Sequence, residues 1–85
     1  MEITVKVFAT FKKYLSPELA AKSEFVLPLA ELPDGKKTIS SLIEYLQLPS
    51  EQIGQMILNG HIKWDKAIGL QANDRVVLQP PIGGG

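Results

Sequence analysis

Eighty-five residues, 45% apolar and 21% charged, make one domain with a single modest core. Nine Lys plus Arg balance nine Asp plus Glu, so no net field exists to hold a phosphate backbone or an anionic bilayer, and the absence of cysteine excludes a disulfide framework, a thiolate metal site and a cysteine nucleophile. The opening MEITVKVF has no apolar run of the signal-peptide kind, and no stretch approaches the ~20 apolar residues of a membrane span, so the expectation is a cytoplasmic globule with neither nucleic acid nor membrane as partner.

Glu2 to Phe8 alternates, with Ile3, Val5 and Val7 on one side and Thr4 and Lys6 on the other, the two-residue period of a half-buried strand. Continued one step, the alternation carries Phe8 to the face opposite Val7. ATFKKYLS is ambiguous: Phe11, Tyr14 and Leu15 share the spacing of one helical turn, and Pro17 limits its length. Ser23 to Leu29 alternates again, with Phe25, Leu27 and Leu29 against Glu24 and Val26, and Pro28 marks an edge or an end.

The period then changes. Pro33-Asp34-Gly35 makes a turn, Thr38 is a plausible N-cap, and Ile39, Leu42, Ile43 and Leu46 fall at i, i+3, i+4 and i+7 before Pro49 ends the pattern. A short apolar strand, Gln55 to Leu58, meets Asn59-Gly60, the dipeptide of a type I′ hairpin turn, and its partner follows at His61 to Trp64. The last strand, Arg75 to Gln79, turns Val76 and Leu78 inward and Val77 and Gln79 outward. Pro80 ends it.

The order strand, strand, helix, strand, short strand, strand predicts an α+β fold, a β-grasp. A mixed sheet of four to five strands is covered by one main helix, which supplies the crossover between parallel first and last strands. The expected core is Ile3, Val5, Val7, Phe25, Leu27, Ile39, Leu42, Ile43, Leu46, Val76 and Leu78. The division expected is a domain over 1–80 and a tail over 81–85, flexible because it is glycine-rich.

That tail reads PPIGGG. At a Gly background of ~7%, three terminal glycines arise by chance about once in a few thousand chains. Glycines there are either a frayed end or the access route to a reactive terminal carboxylate. The other chemistry-bearing residues have plain readings: His61 as a solvated strand residue without metal partners, Trp64 as a half-exposed packing residue, and Lys12-Lys13 and Lys36-Lys37 as solvated faces.

Taken together, VKVFATFKKYL, DGKKTISSLIEYL, ILNGHI and LQANDRVVLQPPIGGG resemble the MoaD/ThiS family of ubiquitin-like sulfur carriers over nearly the whole chain. The proline pair with an aliphatic residue is similar to the molybdopterin synthase small subunit. Gly83 stands where that branch commonly has Ala or Thr, and Lys12-Lys13 replaces its usual basic and acidic pair. The resemblance implies a carrier rather than an enzyme. Gly85 would be adenylated by an activating partner of the ubiquitin-activating type that uses ATP. A sulfur donor, such as a cysteine desulfurase or rhodanese, would then convert it to a thiocarboxylate. The large subunit of the synthase, or an equivalent acceptor enzyme, would supply the catalytic residues and take the sulfur into molybdenum or tungsten cofactor. The carrier itself would bind no cofactor and no metal. Phe8, Val77, Pro80, Pro81, Ile82, Gly83 and Gly84 are the expected partner contacts. Alternatives are a carrier for thiamine or another metabolite, a modifier joined to lysine through Gly85, and a binding module with an inert tail.

Overall fold

The computed structural model describes residues 1–22 and 24–81. Strand β1 (Glu2–Val7) is central, with β2 (Glu24–Pro28) antiparallel on one side and β5 (Arg75–Gln79) parallel on the other. Beyond β5 lie β3 (Gln55–Leu58) and β4 (His61–Lys63), so the sheet runs β2-β1-β5-β3-β4. Helix α1 (Pro17–Ala20) is a single turn, and α2 (Ile39–Leu46) covers one face of the sheet. This is the mixed sheet with one main helix that the alternating and helical periods predict.

Helix α2 forms where its signals say. The Thr38 hydroxyl accepts from the Ser41 N–H at 3.1 Å, satisfying one of the unpaired donors of the first turn. The helix stops at Gln47, a non-glycine residue in the left-handed region (φ 58°), from which the Leu48 N–H returns to the Ile43 carbonyl at 3.2 Å. Between these ends, the apolar stripe faces the sheet: Ile39, Leu42, Ile43 and Leu46 are all buried. Every other residue of the expected core is buried as well.

Several segments differ from the sequence expectation. The ambiguous ATFKKYLS is a 3-10 helix over Ala9–Tyr14 that drives Phe11 into the core. Pro17 opens α1 rather than merely ending what precedes it, since a proline at the first helical position lacks only an N–H that would go unpaired there. β1 stops at Val7, one residue short, because the chain turns at Ala9; the Phe8 N–H still reaches the Leu78 carbonyl at 3.3 Å. β4 likewise stops at Lys63, and β2 runs to Pro28 at the sheet's outer edge, where a missing N–H costs no ladder bond. Ser23 lies outside the described residues. Met56 of β3, with Leu29, Leu32, Leu48, Ile53 and Leu70 from 3-10 turns and connections, completes the core.

Candidate functional site

Among the described residues no helix or loop covers the sheet face opposite α2. Its residues follow from register: Lys6 pairs with Val77, Val77 with Ile57, and Ile57 with Ile62, so these four form one row across β1, β5, β3 and β4. Three of the four are apolar, from the middle of the sheet to its β4 edge. Phe8 lies diagonally beyond Val77, because the parallel pair Val7–Leu78 sets the following residue beside Gln79. Trp64 follows Ile62 by two residues. Phe8 is 40% exposed, Ile62 51% and Trp64 69%, so large apolar surface meets water over one half of this face. The other half is mixed: Val26 of β2 is exposed there too, but Thr4 and Lys6 lie beside it and Arg75 on β5 reaches across β1 to the Glu24 carboxylate at 2.6 Å.

The end of β5 points the chain out at the Phe8 end of this face. Pro80 is half-buried and Pro81 exposed. Of the expected partner contacts, Phe8, Val77, Pro80 and Pro81 thus come together around the end of one strand. Ile82, Gly83, Gly84 and Gly85, including the expected reactive carboxylate, lie outside the described residues. Trp64 is more exposed than the half-buried packing residue expected, because β4 is the outermost strand and ends one residue before it. His61 is exposed on β4, as a solvated strand residue should be.

Ile57 and Ile62 are absent from the residues expected at the site, although the signal for them was present. An Asn-Gly type I′ turn leaves Leu58 opposite His61, hence Ile57 opposite Ile62, and the alternation puts both on the face that buried Met56 does not occupy. Gly54 has no such signal. It lies against Pro80 and Pro81 only through the tertiary fold, its N–H donating to the Gln79 carbonyl at 2.9 Å.

The loop before β5 is held rigidly to the hairpin. Asn59, in the left-handed region at φ 53°, donates from Nδ2 to Asp74 Oδ1 at 2.9 Å, while its Oδ1 accepts from the Arg75 N–H at 2.8 Å. Asp74 Oδ2 accepts from the Gln71 N–H at 2.8 Å. The start of β5 is therefore pinned, and with it the register of Val77.

Among the described residues no group of three His, Cys, Asp or Glu side chains could hold a metal ion, and no helix is long and apolar enough to cross a membrane. A groove of about 320 Å³ on the helix side, lined by Tyr14, Leu15, Ser16, Leu19, Tyr45, Leu46 and Gln47, contains no acid, base or thiol pair.

No family model and no curated protein sequence matches the chain. Solved structures do. Small archaeal modifier protein 1 of H. volcanii superposes with a TM-score of 0.64 at 20% identity over 95% of this chain and 98% of that one. The chain has the ubiquitin-like β-grasp fold. A second structure of that modifier, SAMP1 from Haloferax volcanii, gives a TM-score of 0.57 at 20% identity over the whole of both chains. A chain from the complex of subunits 1 and 2 of the molybdopterin-converting factor of Helicobacter pylori gives the same values. At this identity the likeness is one of fold, and the β-grasp architecture accords with the resemblance read in the sequence.

Proposed function

We propose that this β-grasp protein is a sulfur carrier whose Gly85 carboxylate is activated and converted to a thiocarboxylate, and that it docks as the small subunit of a molybdopterin-type synthase. One observation carries the reading: the strand that ends in the PPIGGG segment leaves the sheet at the edge of an exposed apolar face, so a partner can grip the domain beside the point where the tail begins. A carboxylate is a poor acyl donor. Attack of its oxygen on the α-phosphorus of ATP, with loss of pyrophosphate, makes a mixed anhydride with AMP as leaving group; the outer sulfur of a donor persulfide displaces AMP to give an acyl disulfide, and a second thiol of the donor or activating protein then attacks the donor's sulfur, forming a disulfide there and releasing the thiocarboxylate. The activating enzyme would bind the ATP, and the sulfur would come from a separate donor protein.

Glycine suits such a tail because a backbone without Cβ passes a narrow channel at any φ. From Pro80 to Gly85 the reach is at most about 17 Å, five steps at ~3.3 Å each, enough to enter a neighbouring active site. The carrier then contributes a tethered substrate at high effective concentration, and the acid, base and nucleophile belong to the partner. One β-grasp neighbour, a chain from a complex of molybdopterin-converting factor subunits, supports the synthase reading, and another, a small archaeal modifier protein, favours a second reading, attachment of Gly85 to lysine.

The test is intact-mass measurement after incubation with ATP, an activating enzyme and a sulfur donor. The full chain should gain the sulfur-for-oxygen mass difference. A chain lacking Gly85 should fold and melt normally yet stay unmodified, because the carboxylate retreats by ~3.3 to 3.6 Å when a misplacement of ~1 Å can already cost about a hundredfold in rate. Gly84→Ala should behave alike through clash in the partner's channel. Conversion of the shortened chain as readily as the intact one refutes the carrier reading, and a product heavier by a whole protein indicates the modifier.

A further inference from the structure

We infer that Gly54 is a positioning residue that sets where the tail begins, an inference resting on the reading above that the tail carries the reactive group. Among the glycines that the structure describes, Gly35 and Gly60 serve turns with positive φ and have open space where a Cβ would stand, and Gly69 also has nothing within 4 Å. Gly54 differs. A Cβ built on it would lie 2.3 Å from the Pro81 Cα, 2.6 Å from the Pro81 nitrogen and 3.0 Å from the Pro80 carbonyl carbon. All three are backbone atoms, so no side-chain rotation relieves the contact. The root of the tail rests directly on the bare backbone of Gly54, and the Gly54 N–H holds the preceding carbonyl, that of Gln79, at 2.9 Å.

This seat has a mechanical result. Two successive prolines have their φ angles fixed near −65°, so little freedom enters the chain before Ile82. Whatever sets the position of Pro81 therefore sets where the tail begins. Ordinary contact begins at 3.4 Å, so an alanine at 54 requires Pro81 to retreat by about 1 Å. The root of the tail is thereby displaced by about the ~1 Å at which misplacement of a reacting group can already cost on the order of a hundredfold in rate. Gly54 would touch neither ATP nor the sulfur donor and would act solely through Pro80 and Pro81.

The experiment reads the position of the tail's root without relying on its chemistry. Because the chain has no cysteine, Glu51→Cys provides a single site for a nitroxide on the exposed turn before Gly54, and NMR then gives the paramagnetic broadening of the Ile82 and Gly83 amides, the first two beyond the root. In the unlabelled chain an NOE should link the Gly54 and Pro81 α-protons; its absence overturns the inference. Gly54→Ala should change the broadening of these amides by about 1.5-fold, as the inverse sixth power of a distance of roughly 15 Å altered by ~1 Å requires, and should lower thiocarboxylate formation by up to about a hundredfold. Gly69→Ala, the same substitution in open space, should change neither. Pro81→Gly, which frees the root while leaving Gly54 in place, should also alter the broadening, and it decides the matter if Gly54→Ala does not fold. Unaltered broadening in a folded Gly54→Ala chain, or in Pro81→Gly, overturns the inference. A full-length chain that is never converted to the thiocarboxylate refutes the carrier reading instead, and leaves the NOE and broadening tests of Gly54 intact.

Discussion

Truncating Leu42 tests whether α2 holds the sheet together. Leu42 is 0% exposed in the middle of the helix's apolar stripe. Its change to alanine removes three buried carbons, about 2.4 kcal/mol at ~0.8 kcal/mol per methylene. A void of about 75 Å³ that does not collapse would add up to about 1.8 kcal/mol at ~24 cal/mol per Å³. The expected loss is therefore about 2.5 to 4 kcal/mol, a large share of the ~4 to 13 kcal/mol typical of a domain of this length. Urea unfolding followed by far-UV circular dichroism measures it, and with a slope of ~1 kcal/mol/M the midpoint should fall by about 2.5 to 4 M if the wild type is stable enough to show it. Ile62→Ala removes as many carbons from the open face, where half the side chain is already wet, and should cost about 1 kcal/mol. A Leu42→Ala loss below roughly 0.5 kcal/mol, or one no larger than that of Ile62→Ala, would refute the claim that α2 covers the sheet.

Phe8→Ala should leave the chain folded, since Phe8 is 40% exposed, and weaken binding to the activating enzyme or synthase partner by about tenfold or more; calorimetric titration reads it, and unchanged affinity removes Phe8 from the interface. Gln47→Gly should stabilise the protein by about 1 kcal/mol in the same urea assay, because it relieves the left-handed penalty at the end of α2. Asn59→Gly keeps the positive φ while removing both side-chain bonds to the start of β5, and should cost about 1 kcal/mol. Glu24→Gln should cost less than about 1 kcal/mol, with the difference vanishing in 1 M salt, because the Glu24–Arg75 pair is exposed.

The parts of this fold legible in the sequence are those in which one residue's neighbours repeat a period. Ile3, Val5 and Val7 announce β1, and Ile39, Leu42, Ile43 and Leu46 announce α2, because each pattern requires only that one face meet oil. The 3-10 helix over Ala9–Tyr14 was not legible, since six residues span too few turns to separate a helical spacing from coincidence. Leu32, Leu48 and Leu70 enter the core from connections, where burial depends on how the elements come to lie together rather than on local pattern. At the site, Phe8 and Val77 were legible as outward members of alternating strands. Ile57 and Ile62 required the hairpin register to be carried one step further. Gly54 could not be found at all from its neighbours in the chain, because the atoms that forbid a side chain there lie more than twenty residues away.

The parallel pairing of β1 with β5 joins the first strand synthesised to the last. The ladder between them links residues some seventy positions apart, so it forms only after a long loop has closed and β5 has emerged from the ribosome. Until then β1 has a free edge towards the missing strand, and Phe8 has no Val77 near it. A nascent or prematurely terminated chain can display Phe8, or Ile57 with Ile62, but never the united surface. Any partner that needs Phe8 and Val77 together therefore reads, in one contact, that β5 has been made and that the sheet has closed.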